Sequence, residues 1–287
     1  MFPELFEIPR LFTIPAMLGL GPISVGPFTV YTYGVLLAAS YLLGLRLAMT
    51  RGKRWGLNPS QVLDLGIYII IAALVGAKLL LVITDPKAYL TSRDAFFSLL
   101  RSGGVFYGGL ILAIGVAFWY IAKRRMPFWR TCDVFAPAIA LGHVTGRLGC
   151  LAAGCCYGKP TTLPWGITFH NPLAANVGTP LNIPLHPTQL YEAGAELLIL
   201  GLLLATERRG RAFEGRTFWL YILLYAVSRF IIEFYRGDPR GMVMGFSTSQ
   251  FISLILAPLS LVMLTWLART RPETPPQEMR GRRRAAA

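Results

Sequence analysis

The sequence predicts an all-α polytopic membrane protein, a single domain with seven transmembrane helices. Hydrophobic residues make up 54% of the 287 residues and charged residues 15%, a far more apolar balance than in an ordinary soluble domain. Stretches of about 20 mostly apolar residues, enough to cross about 30 Å of hydrocarbon, recur along the chain. Each is expected to be a helix, because lipid leaves an open backbone unsatisfied and the alternation of a β-barrel is missing.

The apolar stretches divide the chain into spans, a cap and a tail. We place the spans at residues 29–50, 62–84, 105–123, 131–152, 188–206, 217–236 and 247–268. Prolines and acidic residues in 1–28 argue against a cleavable signal peptide and predict an interfacial or extracytoplasmic segment. The proline-rich stretch 153–187 is too long for a passive turn and predicts a small cap, and 269–287 form a basic tail.

The distribution of lysine and arginine predicts the orientation. Basic residues concentrate after the first, third and fifth spans and in the tail, while the alternate loops contain far fewer. By the positive-inside rule the N-terminus and the cap lie outside and the C-terminus is cytoplasmic. Most of the net charge of +14 is therefore a topology signal, and no nucleic-acid partner is expected. The tail is expected to be disordered, with contact to anionic membrane lipids as the alternative.

Ionised side chains inside the spans indicate where the function lies. Burying charge at bilayer depth is costly, and such residues usually mark a functional cavity. They are Lys78, Arg147, Glu192, Arg229 and Glu233. In the predicted orientation they share the outer half of the bilayer with Tyr33 and with the glycine pair that follows Tyr107. A pocket opening near the outer leaflet is expected.

The arginines favour an anionic ligand. Tyr225, Arg229, Glu233 and Arg236 are spaced to share one face of the sixth helix. A purely structural Arg229–Glu233 pair is one interpretation. Arg147, among glycines in the fourth span, is expected to be unpaired. Because the guanidinium fork suits phosphate and keeps its charge, two buried arginines at this depth favour a lipid headgroup.

Seven short motifs along the chain together indicate a family. They are Tyr33-Gly34, Phe106-Tyr107-Gly108-Gly109, Gly146-Arg147-Leu148-Gly149, the segment from His186 to Glu192, the segment from Tyr225 to Arg229, Glu233-Phe234-Tyr235-Arg236, and Ser249-Gln250. In their order and spacing the chain resembles the bacterial prolipoprotein diacylglyceryl transferases over nearly its whole length. The resemblance implies seven helices with the N-terminus outside, in agreement with the topology predicted above.

The resemblance also implies a reaction at the bacterial cytoplasmic (inner) membrane. The diacylglyceryl group of phosphatidylglycerol passes to the lipobox cysteine of a prolipoprotein signal peptide, which forms a thioether and releases glycerol phosphate. Arg147, Arg229 and Tyr225 match catalytic positions. The predicted substrate-binding residues are Arg147, Gly149, Tyr33, Tyr107, Gly108, His186, Glu192, Glu233 and Arg236, with the two glutamates orienting the arginines. No cofactor and no metal are expected.

The chain departs from the family pattern at three positions. Cys150 and Cys155 replace an asparagine and a glutamate, and Tyr107 stands where a histidine is usual. Tyrosine, with a pKa of about 10, is a poor base at neutral pH. His143, one turn before Arg147, is the candidate catalytic substitute, with a packed, hydrogen-bonded structural histidine as the alternative. The departures leave open a paralogue with another acceptor, or a non-enzymatic lipid-binding or transport protein, although transport would favour broken helices and inverted repeats.

Three cysteines lie together at the outer end of the fourth span. Cys150, Cys155 and Cys156 could form a disulfide on this non-cytosolic face, or could be inert packing residues. Zinc is a third interpretation, but this spacing is unusual for zinc and no histidine lies near in sequence. Cys132, at the other end of the span, is expected not to reach them.

Overall fold

Long helices form most of the chain in the computed structural model, which describes residues 4–8, 12–14, 23–25, 28–90, 99, 104–208 and 213–270. The helices are α1 (Thr32–Arg54), α2 (Pro59–Thr84), α3 (Pro86–Leu90), α4 (Phe106–Lys123), α5 (Phe128–Ala153), α6 (Thr188–Arg208), α7 (Arg216–Glu233) and α8 (Thr248–Thr270). A 3₁₀ helix covers Pro172–Val177. The predicted tail 269–287 lies outside the described residues beyond Thr270.

Short strands accompany the helices, a feature that the all-α prediction lacked. They are β1 (Glu4–Ile8), β2 (Phe12–Ile14), β3 (Ile23–Val25), β4 (Phe28–Tyr31), β5 (Ile167–Thr168), β6 (Pro184–Leu185), β7 (Met242–Val243) and β8 (Phe246–Ser247). They pair antiparallel as β1 with β4, β2 with β3, β5 with β6, and β7 with β8. The predicted interfacial segment 1–28 therefore contains strands, and β4 extends into the predicted first span, 29–50, so the helix α1 begins only at Thr32.

Six helices of the described chain are long and apolar enough to cross a membrane: α1, α2, α4, α5, α6 and α8. A mostly helical, multi-pass membrane protein is thereby confirmed. The sixth predicted span, 217–236, falls on α7, an 18-residue helix that carries Arg216, Arg229 and Glu233 and is not among these six. Its predicted end was wrong, because the helix stops at Glu233 and Arg236 lies beyond it. There the backbone leaves the helix, and the N–H of Gly237 donates to the carbonyl of Tyr157 at 3.0 Å.

The described chain divides into two units, and the first contains the residues up to Gly44 and from Phe135 onward. Here α1 lies against α5 through small residues. The Ser40 hydroxyl donates to the carbonyl of Gly142 at 2.5 Å. A Cβ atom at Gly44 would lie 3.0 Å from the carbonyl oxygen of Ala138, so a larger residue there would push the backbones apart.

The second unit contains residues Leu45–Val134. Its helices α2 and α4 approach closely where Gly76 faces Gly108, since a Cβ atom on either glycine would overlap the other's carbonyl oxygen. The Tyr120 hydroxyl donates to Asp64 at 3.1 Å across the same pair. Gly108, predicted to bind substrate, therefore has a packing role between these helices.

The predicted cap, residues 153–187, has its own small core of Tyr157, Phe169, Ala174 and Leu185. Backbone hydrogen bonds fix it to the chain that follows α7. Gly158 donates to the carbonyl of His186 at 3.1 Å, and Lys159 donates to the carbonyl of Tyr235 at 2.8 Å. The segment around Gly158 thus lies between the residues that precede α6 and those that follow α7, which holds the ends of these helices together.

Candidate functional site

The centre of the candidate site is the Glu192 carboxylate in the second turn of α6, which binds three arginines from different parts of the chain. Its Oε1 accepts from Nη1 of Arg229 in α7 and from Nη1 of Arg236, both at 2.5 Å. Its Oε2 is 2.6 Å from Nη2 of Arg147 in α5. The expectation that Arg147 is unpaired was therefore wrong. Its partner, Glu192, lies in α6, and the spacing of residues within α5 gives no information about a contact between helices.

Arg229 also bridges α7 to α8. Its Nη2 lies 2.6 Å from Oε2 of Glu233, one turn later, so the ion pair that was one interpretation of their spacing is present. The same nitrogen donates to the hydroxyl of Ser249 at 3.1 Å. Both members of the pair are buried. Arg229 can stay buried because neighbouring carboxylates neutralise its charge.

Arg236 connects the cluster to the turn after α7. Its Nε and Nη2 donate to the two carboxylate oxygens of Asp238, each at 2.8 Å, and Asp238 also accepts from Arg240. Burial alone would raise the pKa of Asp238, but the hydrogen bonds and charge of Arg236, together with Arg240, outweigh burial and hold that pKa below its ordinary value. A bidentate pair of this kind also fixes the orientation of the arginine.

The arginine cluster has one more positive than negative side chain. Four arginines, at 147, 229, 236 and 240, face three carboxylates, at 192, 233 and 238. The arginines differ in access: the Arg147 side chain is 20% exposed, against 6% for Arg229 and 2% for Arg236. An anion approaching the three arginines that bind Glu192 would therefore meet Arg147 first.

One turn along α5 and α6, a second polar group surrounds His143. Its Nδ1 lies 2.7 Å from Oε1 of Glu196 and 3.1 Å from the hydroxyl of Tyr221. The His143 ring is also 5.5 Å, centroid to centroid, from the ring of Tyr225. The other carboxylate oxygen of Glu196 is buried and has no hydrogen-bond partner among the described residues. His143 is thus held by polar side chains of α6 and α7, contacts that fit both a catalytic and a packed, hydrogen-bonded structural histidine.

The sulfur atoms of Cys150, Cys155 and Cys156 lie within 4.8 Å of one another at the end of α5. All four cysteines of the chain are described, and none forms a disulfide. Hydrogen bonds from Cys150 and Cys155, with the charges of Arg236 and Arg147, hold the pKa of the Cys156 thiol below its ordinary value. The three thiols therefore adjoin the arginine cluster.

Tyr33 and Gly149 also lie at this end of α5. A Cβ atom at Gly149 would lie 3.3 Å from Cδ2 of the Tyr33 ring, so glycine permits the close approach of α1. Tyr33 is near enough to Arg147 to interact with its charge. Two more predicted substrate-binding residues are therefore neighbours of Arg147.

Other predicted residues lie in different surroundings. His186 contacts aromatic residues: its Nδ1 lies 3.2 Å from the hydroxyl oxygen of Tyr191, and its ring centroid is 5.2 Å from that of Tyr235. Tyr107, Gly108 and Lys78 belong to the second unit, where the Lys78 ammonium donates to the carbonyl of Leu99 at 2.7 Å. Their predicted roles stay predictions.

Sequence reasoning missed three residues of the site, Glu196, Tyr221 and Asp238, and it named Ser249 only as part of a family motif. Glu196 carried a usable signal, because it lies one helical turn after Glu192 in an apolar helix, where acidic residues are rare. Asp238 could have been suspected from its position between two arginines. Tyr221 becomes recognisable only once the helices are assembled.

Comparison with known proteins gives one consistent result. Residues 22–266 match the family model described as prolipoprotein diacylglyceryl transferase. A phosphatidylglycerol–prolipoprotein diacylglyceryl transferase of Clostridium tetani is 40% identical over 78% of this chain and 88% of its own length. Proteins of the same name from Clostridium perfringens (numbered 2 there) and Thermus thermophilus are 34% and 33% identical, over 79% and 86% of this chain and 87% and 98% of their own lengths.

Proposed function

The chain belongs to the prolipoprotein diacylglyceryl transferase family, and we propose that it transfers the diacylglyceryl group of phosphatidylglycerol to the lipobox cysteine of a prolipoprotein signal peptide. The observation that carries the assignment of the site is the convergence of Arg147, Arg229 and Arg236 on Glu192. The excess positive charge of this arginine cluster suits a substrate that brings one negative phosphate.

In the proposed complex the phosphate of phosphatidylglycerol binds first to Arg147, the most exposed arginine of the three. The guanidinium has donors beyond the one used for Glu192, and a phosphate diester offers two oxygens for a fork of two hydrogen bonds. Glu192 and Glu233 orient the arginines. Arg229 and Arg236 add positive charge from their more buried positions. Because water is largely excluded there, their attraction for the phosphate is stronger than it would be in water.

The reaction breaks one bond and forms one. The thiolate sulfur of the lipobox cysteine attacks the glycerol carbon that carries the phosphate ester, and a carbon–sulfur bond forms. The carbon–oxygen bond to phosphate breaks, and its electron pair stays on the leaving oxygen, so glycerol phosphate departs. Because negative charge grows on that oxygen, fixed positive charge from Arg147 and Arg229 stabilises the transition state more than the bound substrate. The Tyr225 hydroxyl can donate to the same group.

His143 is the proposed proton acceptor for the incoming thiol. If Nδ1 carries the ring proton, it donates to Glu196, and Nε2 keeps a free lone pair. The side chain is 42% exposed, so a substrate proton can reach it. The buried Glu196 carboxylate then stabilises the imidazolium that forms, as the acidic partner does in a hydrolase triad.

The structure supports some of the remaining predicted substrate contacts more than others. Tyr33 and Gly149 adjoin Arg147, and they are proposed to contact the headgroup or the glycerol backbone. His186, in the cap, lies against Tyr191 and Tyr235. It is proposed to contact the peptide substrate there. Tyr107 and Gly108 are carried over from the family motif alone.

We propose that the protein lies in the bacterial inner membrane with α7 as a span in addition to the other six, the N-terminus and the cap outside, and the C-terminus in the cytoplasm. The support is the concentration of basic residues in alternate loops. In this orientation the arginine cluster lies near the outer leaflet, where the membrane-anchored signal peptide presents its cysteine after export. Both substrates then reach the site without leaving the membrane surface.

The test is transfer from phosphatidylglycerol to a lipobox peptide by purified enzyme, with the thioether identified by mass spectrometry. Arg147→Ala should lower the rate by about 100-fold to 1000-fold, as expected for losing one contact to a developing charge. Arg147→Lys should also be strongly impaired, because a point charge lacks the fork. Arg46→Ala, at an exposed position in α1, is the control. Near-normal transfer by Arg147→Ala would remove this residue from the mechanism, and no thioether with wild-type enzyme would refute the function.

A further inference from the structure

The cysteine cluster of Cys150, Cys155 and Cys156 is not used by the mechanism above. Its three sulfur atoms lie within 4.8 Å of one another. Sulfur ligands about 2.3 Å from a tetrahedral zinc ion are about 3.8 Å apart, so the cluster has to contract by about 1 Å at most to bind one. The fold thus brings together three cysteines whose spacing in the sequence is unusual for zinc ligands.

The backbone of the cysteine cluster is held in place by hydrogen bonds from side chains of α6. Thr188 and Gln189, in the first turn of α6, donate to the carbonyls of Cys156 and Cys155 at 2.8 and 2.7 Å. The turn itself requires Gly154, which has a φ of +77° and whose added Cβ atom would be 2.7 Å from Cβ of Ala174. Inert packing of three small residues does not need such anchoring, whereas a ligand site needs a preformed geometry.

Among the described residues, no histidine, aspartate, glutamate or fourth cysteine joins the three sulfurs as a ligand. Structural zinc sites are closed by four protein ligands, whereas catalytic sites have three and leave one position for water or substrate. The three cysteines are also only partly buried, so a fourth ligand can enter. The donor set is therefore that of an open, thiophilic site.

The position of the cluster matches the site of reaction. Cys150 lies three residues after Arg147, on the same side of α5. The thiol acceptor has to approach the carbon next to the phosphate that Arg147 is proposed to bind. A metal at the cysteine cluster would hold that thiol beside the phosphate ester.

We propose that Cys150, Cys155 and Cys156 bind a Zn²⁺ ion whose open fourth position takes the acceptor thiol of the prolipoprotein. This inference rests on the proposed transfer to a thiol, and it differs from the sequence-based expectation of no metal. Coordination displaces the thiol proton, which passes to His143 or to water, and leaves a metal-bound thiolate. The sulfur then forms the carbon–sulfur bond as the carbon–oxygen bond to phosphate breaks. The zinc keeps its oxidation state, and no oxidant or reductant is needed.

Metal content is the first readout and does not depend on activity. Full-length enzyme purified without chelators should contain about one zinc per chain, the stoichiometry of a mononuclear site. Replacing zinc with Co²⁺ should give thiolate-to-metal charge-transfer absorption. Both signals should disappear in the double variant Cys155→Ser and Cys156→Ser and persist in Cys132→Ser, which removes a thiol earlier in α5. Absence of zinc and of the cobalt signal in wild-type enzyme would overturn the proposal.

A second measurement uses wild-type protein alone, so it remains valid if the serine variants fail to fold. Bound zinc should slow alkylation of the three cluster cysteines, measured by peptide mass spectrometry, and leave the rate at Cys132 unchanged. A disulfide among the three in the purified enzyme would contradict the proposal.

The activity assay separates the two hypotheses. Removing zinc should lower thioether formation by about 100-fold, in the range for losing activation of a nucleophile, while binding of phosphatidylglycerol stays the same. Added Zn²⁺ should restore the rate. Wild-type transfer that persists without metal would overturn the zinc inference and leave the transferase function standing. Zinc binding without any transfer to lipobox peptides would refute the function instead.

Discussion

Arg229 has both a structural and a chemical explanation, and the two can be separated. It lies 2.5 Å from Glu192 and 2.6 Å from Glu233, and its side chain is 6% exposed. Removing one partner of such a buried pair usually costs about 3–5 kcal/mol, because the other charge is left uncompensated. A purely structural role would make stability and activity fall together.

We predict that the double variant Arg229→Ala, Glu233→Ala recovers part of the stability lost in Arg229→Ala but stays inactive. Removing both charges relieves the uncompensated carboxylate of Glu233, whereas nothing replaces the positive charge near the leaving oxygen. Tyr225→Phe should lose less activity, since only one hydroxyl is removed. Thermal unfolding in detergent and thioether formation are measured on the same preparations.

The control for this comparison is the single variant Glu233→Ala, which keeps Arg229 and its contact with Glu192. It should retain more activity than either variant without the arginine. Transfer at the wild-type rate by the double variant would show that the pair is only scaffolding.

At the scale of elements, the turn after α7 makes a pH-dependent contribution to stability through Asp238. Its pKa in the folded protein lies below its ordinary value because the bonds and charge of Arg236, aided by Arg240, outweigh burial. A carboxyl group with a lowered folded-state pKa stabilises the fold at pH values above its unfolded pKa of about 3.9. The contribution is lost as the pH falls through the folded pKa.

We therefore predict that Asp238→Asn destabilises the protein by a constant amount between pH 5 and 7, with a difference that shrinks as the pH falls below about 4. The measurement is the unfolding temperature in detergent across this pH range. Asp85→Asn, at an exposed position after α2, is the matched control and should show little difference. A gap between wild type and Asp238→Asn that widens toward acid would contradict the assigned pKa shift.

Six of the helices were predictable because each is an apolar run long enough to cross a bilayer. The predicted segment 105–123 became Phe106–Lys123, and 131–152 became Phe128–Ala153. Arg236 was misplaced because hydrophobic patterning does not register the backbone pairing that ends α7. The link from Arg147 to Glu192 and the convergence of the cysteines depend on contacts between distant segments, which neither periodicity nor spacing contains.

At the scale of the whole molecule, function depends on the side of the membrane that the cap faces. Helix-forming segments tolerate either orientation, and the choice is made by lysine and arginine in the short loops. The loop between α4 and α5 contains Arg124 and Arg125, whereas the cap contains Lys159 as its one basic residue apart from histidine. The proposed mechanism requires the cap side to be outside, because exported signal peptides present their cysteine there.

We predict that a cysteine at position 170 in the cap is labelled in intact cells by a membrane-impermeant maleimide, whereas one at position 125 is labelled only after the membrane is opened. The variants His170→Cys and Arg125→Cys are made in a background without the four native cysteines, and only labelling is measured, so loss of activity does not affect the result. His170 is in the cap, and its Nδ1 contacts Asn182 at 2.9 Å on an exposed surface, which makes the position accessible. The reverse pattern would place the arginine cluster on the cytoplasmic side and overturn both the orientation and the proposed access of exported prolipoproteins.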